Sequence, residues 1–407
     1  MGLIAALLST TGADVSAQIN RMLRAASPTP GDGYGLATPD GVMLLPSPPG
    51  SSALRSGVAL GHKLVKAMPG DPPQPISQHG YAMIFEGRLW GSSGPSDLSM
   101  AADLMGEDPA RGIRRLIAEE DGSYAVAVAE RGRVLCGRDP IGVVPLYFGV
   151  SGNILGAASN RKMLWSAGIE AEPLPPGCVA EMTLGGTRLH RIRSLIQPPV
   201  RAVSMEEAAV SLDALLSEAV EARTRGVVRA SLGFSGGIDS SLLAHCLDRC
   251  GVDLDLVCVG VEGSEFEAAE EAAEGLGLPI RLESFAASEV EEDLDEVLRG
   301  VEEANPMKVA VALPLRWAAR SAAGHGSRVF YSGNGSDELF GGYLRYVREH
   351  ADAGDAVRDT MFRDVAEAHT VNYGRDYKVC ADAGVELRIP FADAKLIEFG
   401  LSLPLSL

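Results

Sequence analysis

The sequence predicts a two-domain protein: short strands and turns over residues 1–191, a linker over 192–203, and a parallel α/β sheet over 204–407. Three observations carry this. First, at 407 residues two domains are the default. Second, the short apolar runs of the first half are punctuated by Gly and Pro. Third, strands and helices alternate after Ser204, which means a parallel sheet with helices on both faces.

The first half opens with Leu3–Leu8, an apolar run with no preceding Lys or Arg. It reads as a buried first strand rather than a signal peptide. Val58–Leu60, Tyr81–Phe85, Tyr124–Val128, Val134–Cys136 and Leu146–Gly149 are further strand candidates. Pro46–Gly50, Gly70–Pro75 and Gly91–Pro95 read as loops. Ile192 to Val203, with Pro198-Pro199, reads as the linker. Ser204 then opens a helix, and Glu207 completes a capping box. The spacing predicts helices over 205–222, 238–250, 265–276, 289–301 and 309–323, and strands over 227–234, 254–261, 278–284 and 328–332.

Ala230–Ser241 carries the chemistry. A strand ending at Phe234 meets the turn Ser235-Gly236-Gly237 and then a helix start. Free N–H groups and the helix dipole make such a junction an anion site. Gly236 and Gly237 let the backbone approach phosphate, and Ser235, Ser240 and Ser241 add hydroxyl donors. Asp239 beside phosphates suits a Mg²⁺ ligand. No Lys of the G-x-x-x-x-G-K-[ST] type is present, so this is not a Walker loop. A purely structural turn is the alternative. A second glycine loop, Ser332–Tyr343, follows another strand and brings Asp337 and Glu338. Asp239 and Asp337 together would clamp Mg²⁺ on a departing pyrophosphate.

Net charge is −18, which argues against nucleic acid or an anionic membrane surface as main partner. No apolar run reaches membrane-span length. Six cysteines without C-x-x-C spacing fit a reduced, cytoplasmic setting.

These motifs resemble a known family. Ser235–Ser241 is similar to the pyrophosphate loop of N-type ATP pyrophosphatases. With Ser332–Tyr343 and Gly384–Asp393 it resembles the synthetase domain of the asparagine synthetase family, whose relatives include β-lactam synthetases. Asp121–Tyr124, Gly137–Tyr147 and Leu174–Gly177 resemble that family's glutaminase domain. The resemblance implies an N-terminal-nucleophile-hydrolase-like α+β fold of stacked antiparallel sheets between helices for residues 1–191, followed by an α/β ATP pyrophosphatase domain that is short at its C-terminus. It also implies ATP and Mg²⁺ as cofactors. The nucleotide would contact Leu232, Ser235, Gly236, Gly237, Asp239, Ser240, Ser241, Val259, Gly260, Ser332, Gly333 and Gly335. Catalytic roles would fall to Asn334, Asp337, Glu338 and Arg388.

The chain departs from the family in several places. Gly2 stands where the glutaminase cysteine is expected, and Glu86 stands where an oxyanion-hole Asn is expected. Gly61–Leu64 lacks an obvious substrate-binding Arg. Asn334 replaces a carboxylate or tyrosine, and an amide cannot accept a proton from an amine. The chain stops before the helical segment that supplies a Lys near the phosphates, for which Lys308, Lys378 or Lys395 would have to substitute.

The resulting expectation is an ATP-dependent ligase. It would adenylate a small-molecule carboxylate and use ammonia or an amine rather than glutamine, with a homodimer as a candidate assembly. The rival expectation is a catalytically inactive nucleotide-binding regulatory or scaffold protein. A third is another adenylation chemistry, such as sulfur transfer to tRNA.

Overall fold

The computed structural model describes residues 2–50, 54–91, 94 and 96–407. The expected loop at Gly91–Pro95 lies partly outside these residues. The chain divides into two units, Met1–Ser194 and Leu195–Leu407.

The first unit holds two antiparallel sheets. The seven-stranded sheet centres on Gly2–Ser9, which pairs with Val58–Leu64 on one side and Ile154–Ala158 on the other. All eight residues of Gly2–Ser9 are buried. The six-stranded sheet centres on Tyr81–Leu89, Gly122–Glu130 and Arg133–Arg138. Gly2–Ser9 and Val58–Leu64 stack on Tyr81–Leu89 and Gly122–Glu130, so these strands are covered on both faces. This explains their continuous apolar composition.

Four helices, Ser16–Ala25, Asp97–Met105, Pro109–Glu119 and Arg161–Ser166, accompany the sheets as the resemblance implies, though the sequence pattern did not locate them. They cover the outer faces. Ile19, Met22 and Leu23 pack with Met163 and Leu164 over the first sheet. Leu98, Met105, Ile113 and Leu116 pack over the second.

The glutaminase-like motifs serve this scaffold. Asp139 is fully buried and accepts from the backbone N–H groups of Tyr124 (3.2 Å) and Ile141 (3.0 Å). Buried Arg138 donates to the carbonyls of Val144 (2.7 Å), Leu174 (2.9 Å) and Gly142 (2.6 Å).

The second unit is built on a five-stranded parallel sheet. Its order is Ile280–Phe285, Asp253–Val261, Arg229–Gly233, Val329–Tyr331, Glu386–Arg388. The chain steps outward in one direction from Arg229–Gly233, then returns to build on its other side. Right-handed crossovers therefore place helices on opposite faces, and the strand order reverses beside Arg229–Gly233. Helices Ile238–Arg249 and Pro306–Gly324 both pack on the strands Arg229–Gly233 and Asp253–Val261. The expected elements of this unit all form, with ends moved by a few residues: the first helix runs Met205–Thr224 and the first strand Arg229–Gly233. The capping box at Ser204 and Glu207 is present. Strand Glu386–Arg388, inside the segment Gly384–Asp393, adds the fifth position of the sheet.

Candidate active site at the switch point of the parallel sheet

Ligands of open α/β sheets bind outside the carboxyl ends of the strands, where the strand order reverses. Both glycine loops leave neighbouring strands there: Ser235–Ser241 follows Arg229–Gly233, and Ser332–Gly335 follows Val329–Tyr331.

The first loop is held by its own side chains. Ser240 Oγ donates to the Gly237 carbonyl (3.0 Å), and Gly237 N–H donates to Ser235 Oγ (3.3 Å). Gly236 has φ +74°, and a Cβ there would lie 2.4 Å from the Ala268 carbonyl oxygen. Only glycine fits both conditions. Gly237 caps helix Ile238–Arg249 without a side-chain hydrogen bond. The helix N-terminus therefore keeps donors available for an anion. Ser235 and Gly237 are exposed, and Asp239 and Ser241 are half-buried.

The second loop is similarly tight. Gly335 has φ +98°. Asn334 N–H donates to Ser332 Oγ (3.3 Å), and Ser336 Oγ donates to the Gly333 carbonyl (3.0 Å). The two loops touch: a Cβ on Gly333 would sit 3.3 Å from Asp239 Cβ. Burial raises the Asp337 carboxyl above its ordinary range, and the neighbouring charges of Asp239 and Glu338 add to the shift. Removing charge repulsion between Asp239 and Asp337 is what a bound cation would do. Mg²⁺ binds through one or two carboxylates together with substrate phosphates rather than in an all-protein cage. The pair fits that donor set, and among the described residues no three His, Cys, Asp or Glu side chains converge to hold a metal ion.

The remaining expected residues are spread around this centre. Val259 and Gly260 are half-buried near the carboxyl end of the adjacent strand Asp253–Val261. Leu232 is fully buried within its strand. Glu338 is buried beneath the second loop. The guanidinium of Arg388 is committed to the fold: Nε bonds Glu386 Oε1 (2.7 Å), and a second nitrogen donates to the Arg223 carbonyl. Asp393 of the same segment pairs with buried Arg223 at 3.0 Å and caps helix Ala394–Ser402. This segment thus clamps the fifth strand to the first helix of the unit.

The three candidate lysines are paired elsewhere. Lys308 bonds Glu303 (2.6 Å), Lys378 bonds Glu302 (2.9 Å) and Lys395 bonds Glu218.

Sequence reasoning missed Asn372, Tyr373, Arg375 and Asp376. Asn334 Nδ2 donates to Asp376 Oδ2, and Arg375 Nε donates to Asp376 Oδ1 (2.6 Å). Burial raises the Asp376 carboxyl, and Arg375 opposes the shift. The backbone at His369–Tyr373 forms a π-helical turn, a feature frequent at functional sites. The sequence shows only that Gly374–Ala383 holds Arg375, Asp376, Lys378 and Asp382 within ten residues; that nine of the ten are buried, which sets these charges apart from a solvated face, is visible only in the structure.

The asparagine synthase family profile matches residues 211–354 and 349–407, and the glutamine amidotransferase domain profile matches residues 85–166. A Methanocaldococcus jannaschii protein named as a glutamine-hydrolyzing asparagine synthetase is 33% identical over 71% of this chain and 57% of its own length. The chain belongs to the asparagine synthetase family. A glutamine-hydrolyzing asparagine synthetase of Brassica oleracea is 29% identical over 71% of this chain and 49% of its own length. The chain thus spans about half the length of the asparagine synthetases it matches. A solved glutamine phosphoribosylpyrophosphate amidotransferase from B. subtilis is 17% identical with a TM-score of 0.42, covering 69% of this chain and 65% of that one.

Proposed function

We propose that the second unit binds Mg·ATP at the two glycine loops and adenylates a small-molecule carboxylate, which ammonia or an amine then converts to an amide. The observation that carries this is the meeting of two glycine loops, each with a carboxylate, at the switch point of a parallel sheet. Backbone N–H groups of Ser235–Ser241 and the start of helix Ile238–Arg249 would hold the phosphates. Val259 and Gly260 would flank the base. Mg²⁺ on Asp239 and Asp337 would neutralise the departing pyrophosphate. A carboxylate oxygen attacks the α-phosphorus, the bond to the β-phosphate bridging oxygen breaks, and pyrophosphate leaves. The nitrogen lone pair then attacks the carbonyl carbon, and AMP leaves with the bonding electrons of the C–O bond. Asn334 would orient the substrate rather than move a proton.

The first unit supports the proposed nitrogen source. A side chain at position 2 has no room, because its Cβ would lie 2.4 Å from His62 Nε2 and 2.5 Å from the Lys63 carbonyl oxygen. Glu86, 1% exposed, stands where the resemblance expects an oxyanion-hole Asn, and an ionised carboxylate has no hydrogen to donate. Both features support ammonia or an amine, rather than glutamine, as the nitrogen source of the proposed enzyme.

The test is substrate-dependent ATP–pyrophosphate exchange over a panel of carboxylates that includes L-aspartate, the acid whose amide the relatives' name refers to. Exchange with at least one acid is expected. Asp239→Ala and Asp337→Ala should each weaken Mg·ATP binding about tenfold or more by calorimetry, since each removes an anionic ligand. Unchanged affinity in both variants would refute the site. Glutamate release from glutamine should stay at the uncatalysed background. A second reading, nucleotide binding without ligation, is favoured by Asn334, which cannot act as a base. Binding of Mg·ATP without exchange on any acid would select it.

A further inference from the structure

Helix Pro109–Glu119 of the first unit carries its charges in an unfavourable order. Arg111, Arg114 and Arg115 are all exposed. Arg111 stands three and four residues from the other two, so like charges are neighbours on the helix surface. All three fall in the first two turns. No basic residue occupies the last turn, which ends on Glu119. Cations near a helix N-terminus and anions near its C-terminus both oppose the macrodipole. Helix stability alone does not account for this arrangement.

A groove of about 790 Å³ lies along this helix. The three arginines line it together with Arg191, the last residue of strand Gly186–Arg191. Two of the lining carboxylates are committed. Glu119 pairs with Arg115 at 2.7 Å, and Asp108 caps the helix by accepting from Arg111 N–H (3.1 Å). Glu107 remains, set against Arg111, Arg114 and Arg191. These three guanidiniums have no carboxylate partner among the described residues. The background charge also permits an anion here. Residues 1–194 hold 17 Lys and Arg against 17 Asp and Glu, so the −18 of the chain falls on residues 195–407.

We propose that this groove binds an oligophosphate group, at a site apart from the two glycine loops. The proposal does not depend on the adenylation reading. Three uncompensated guanidiniums on two elements call for an anion with several charged oxygens. Guanidinium forks match phosphate oxygens in pairs, whereas a single carboxylate fills one fork. A long polyanion is opposed by the field of the strongly acidic second unit. The group has two sources, a free inorganic oligophosphate or the phosphate tail of a nucleotide. Leu104 and Ile192 add apolar wall on which the rest of a nucleotide could lie.

The test is calorimetry of the full chain with inorganic triphosphate, in EDTA at about 0.15 M salt. One equivalent should bind with a Kd of about 100 µM or tighter. Arg114→Ala and Arg191→Ala should each weaken binding about tenfold, because each removes charged hydrogen bonds to phosphate. Without ligand, Arg114→Ala should melt no lower than wild type, since it relieves repulsion within the helix. No binding, or binding indifferent to both substitutions, would overturn the proposal. In wild type alone, triphosphate should slow amide exchange within Pro109–Glu119, and unchanged exchange there would overturn it equally. Titrating ATP in the same buffer separates the two sources. Equal affinity for ATP and triphosphate assigns the site to the phosphates alone, and tighter ATP binding that Arg114→Ala weakens assigns it to a nucleotide.

Discussion

Gly236 is the residue on which the first glycine loop turns. Its φ of +74° and the Ala268 carbonyl 2.4 Å from a would-be Cβ act together. Gly236→Ala must either strain the turn or push helix Glu267–Leu276 away. We expect a loss of about 1–3 kcal/mol in stability, read by denaturant melts, together with weaker Mg·ATP binding. Gly275→Ala is the control. It lies in the same helix, with ordinary φ and nothing within 4 Å of its Cβ. It should stabilise by about 0.5–1 kcal/mol through helix propensity. The two glycine loops were legible at this scale because a positive φ and a close backbone approach leave few alternatives to glycine. Asp376 was not legible: its importance comes from the contact with Asn334, 42 positions earlier.

At the scale of elements, local signals worked where they were read. Ser204 accepts from Glu207 N–H (3.2 Å), and Glu207 Oε2 accepts from Ser204 N–H (3.0 Å), closing the box over helix Met205–Thr224. Ser204→Ala should cost about 1 kcal/mol, a fall of roughly 2–4 °C in the melting point of this unit. An unchanged melt would show that the packed face alone holds the helix end. Three of the four helices missed in the first unit had comparable signals, while Ser16–Ala25 has no side-chain cap. Asp108 caps Pro109–Glu119 by accepting from Arg111 N–H (3.1 Å), with Pro at the helix start. Ser96 likewise caps Asp97–Met105. The Gly and Pro punctuation of this half drew attention to strands, and these caps sit inside that punctuation.

At the scale of the whole chain, acid stability carries a readable signature. His62 is fully buried, both ring nitrogens lack partners among the described residues, and burial lowers its pKa to about 3. Unfolded, it titrates near 6.5. Below that pH the unfolded state binds a proton that the folded state refuses, so the stability contribution is complete above 6.5 and is lost as pH falls toward 3. The slope is up to about 1.4 kcal/mol per pH unit. Asp139, which burial pushes up to about 6, contributes with the opposite sign. The difference between wild type and His62→Met therefore isolates the histidine. The variant should lose part of the acid sensitivity between pH 3 and 6.5, and an identical pH profile would contradict the assignment. By itself the sequence determined the alternation that makes a parallel sheet, the two glycine loops and the carboxylates on them. These depend on neighbours within a few residues, where turn sterics and periodicity act. Only the tertiary structure decided that Arg388 and Asp393 clamp the fold, that the three lysines pair elsewhere, and that His62 fills the space beside Gly2. Those outcomes depend on which distant side chains share a desolvated volume, and burial sets the cost of leaving any of them unpaired.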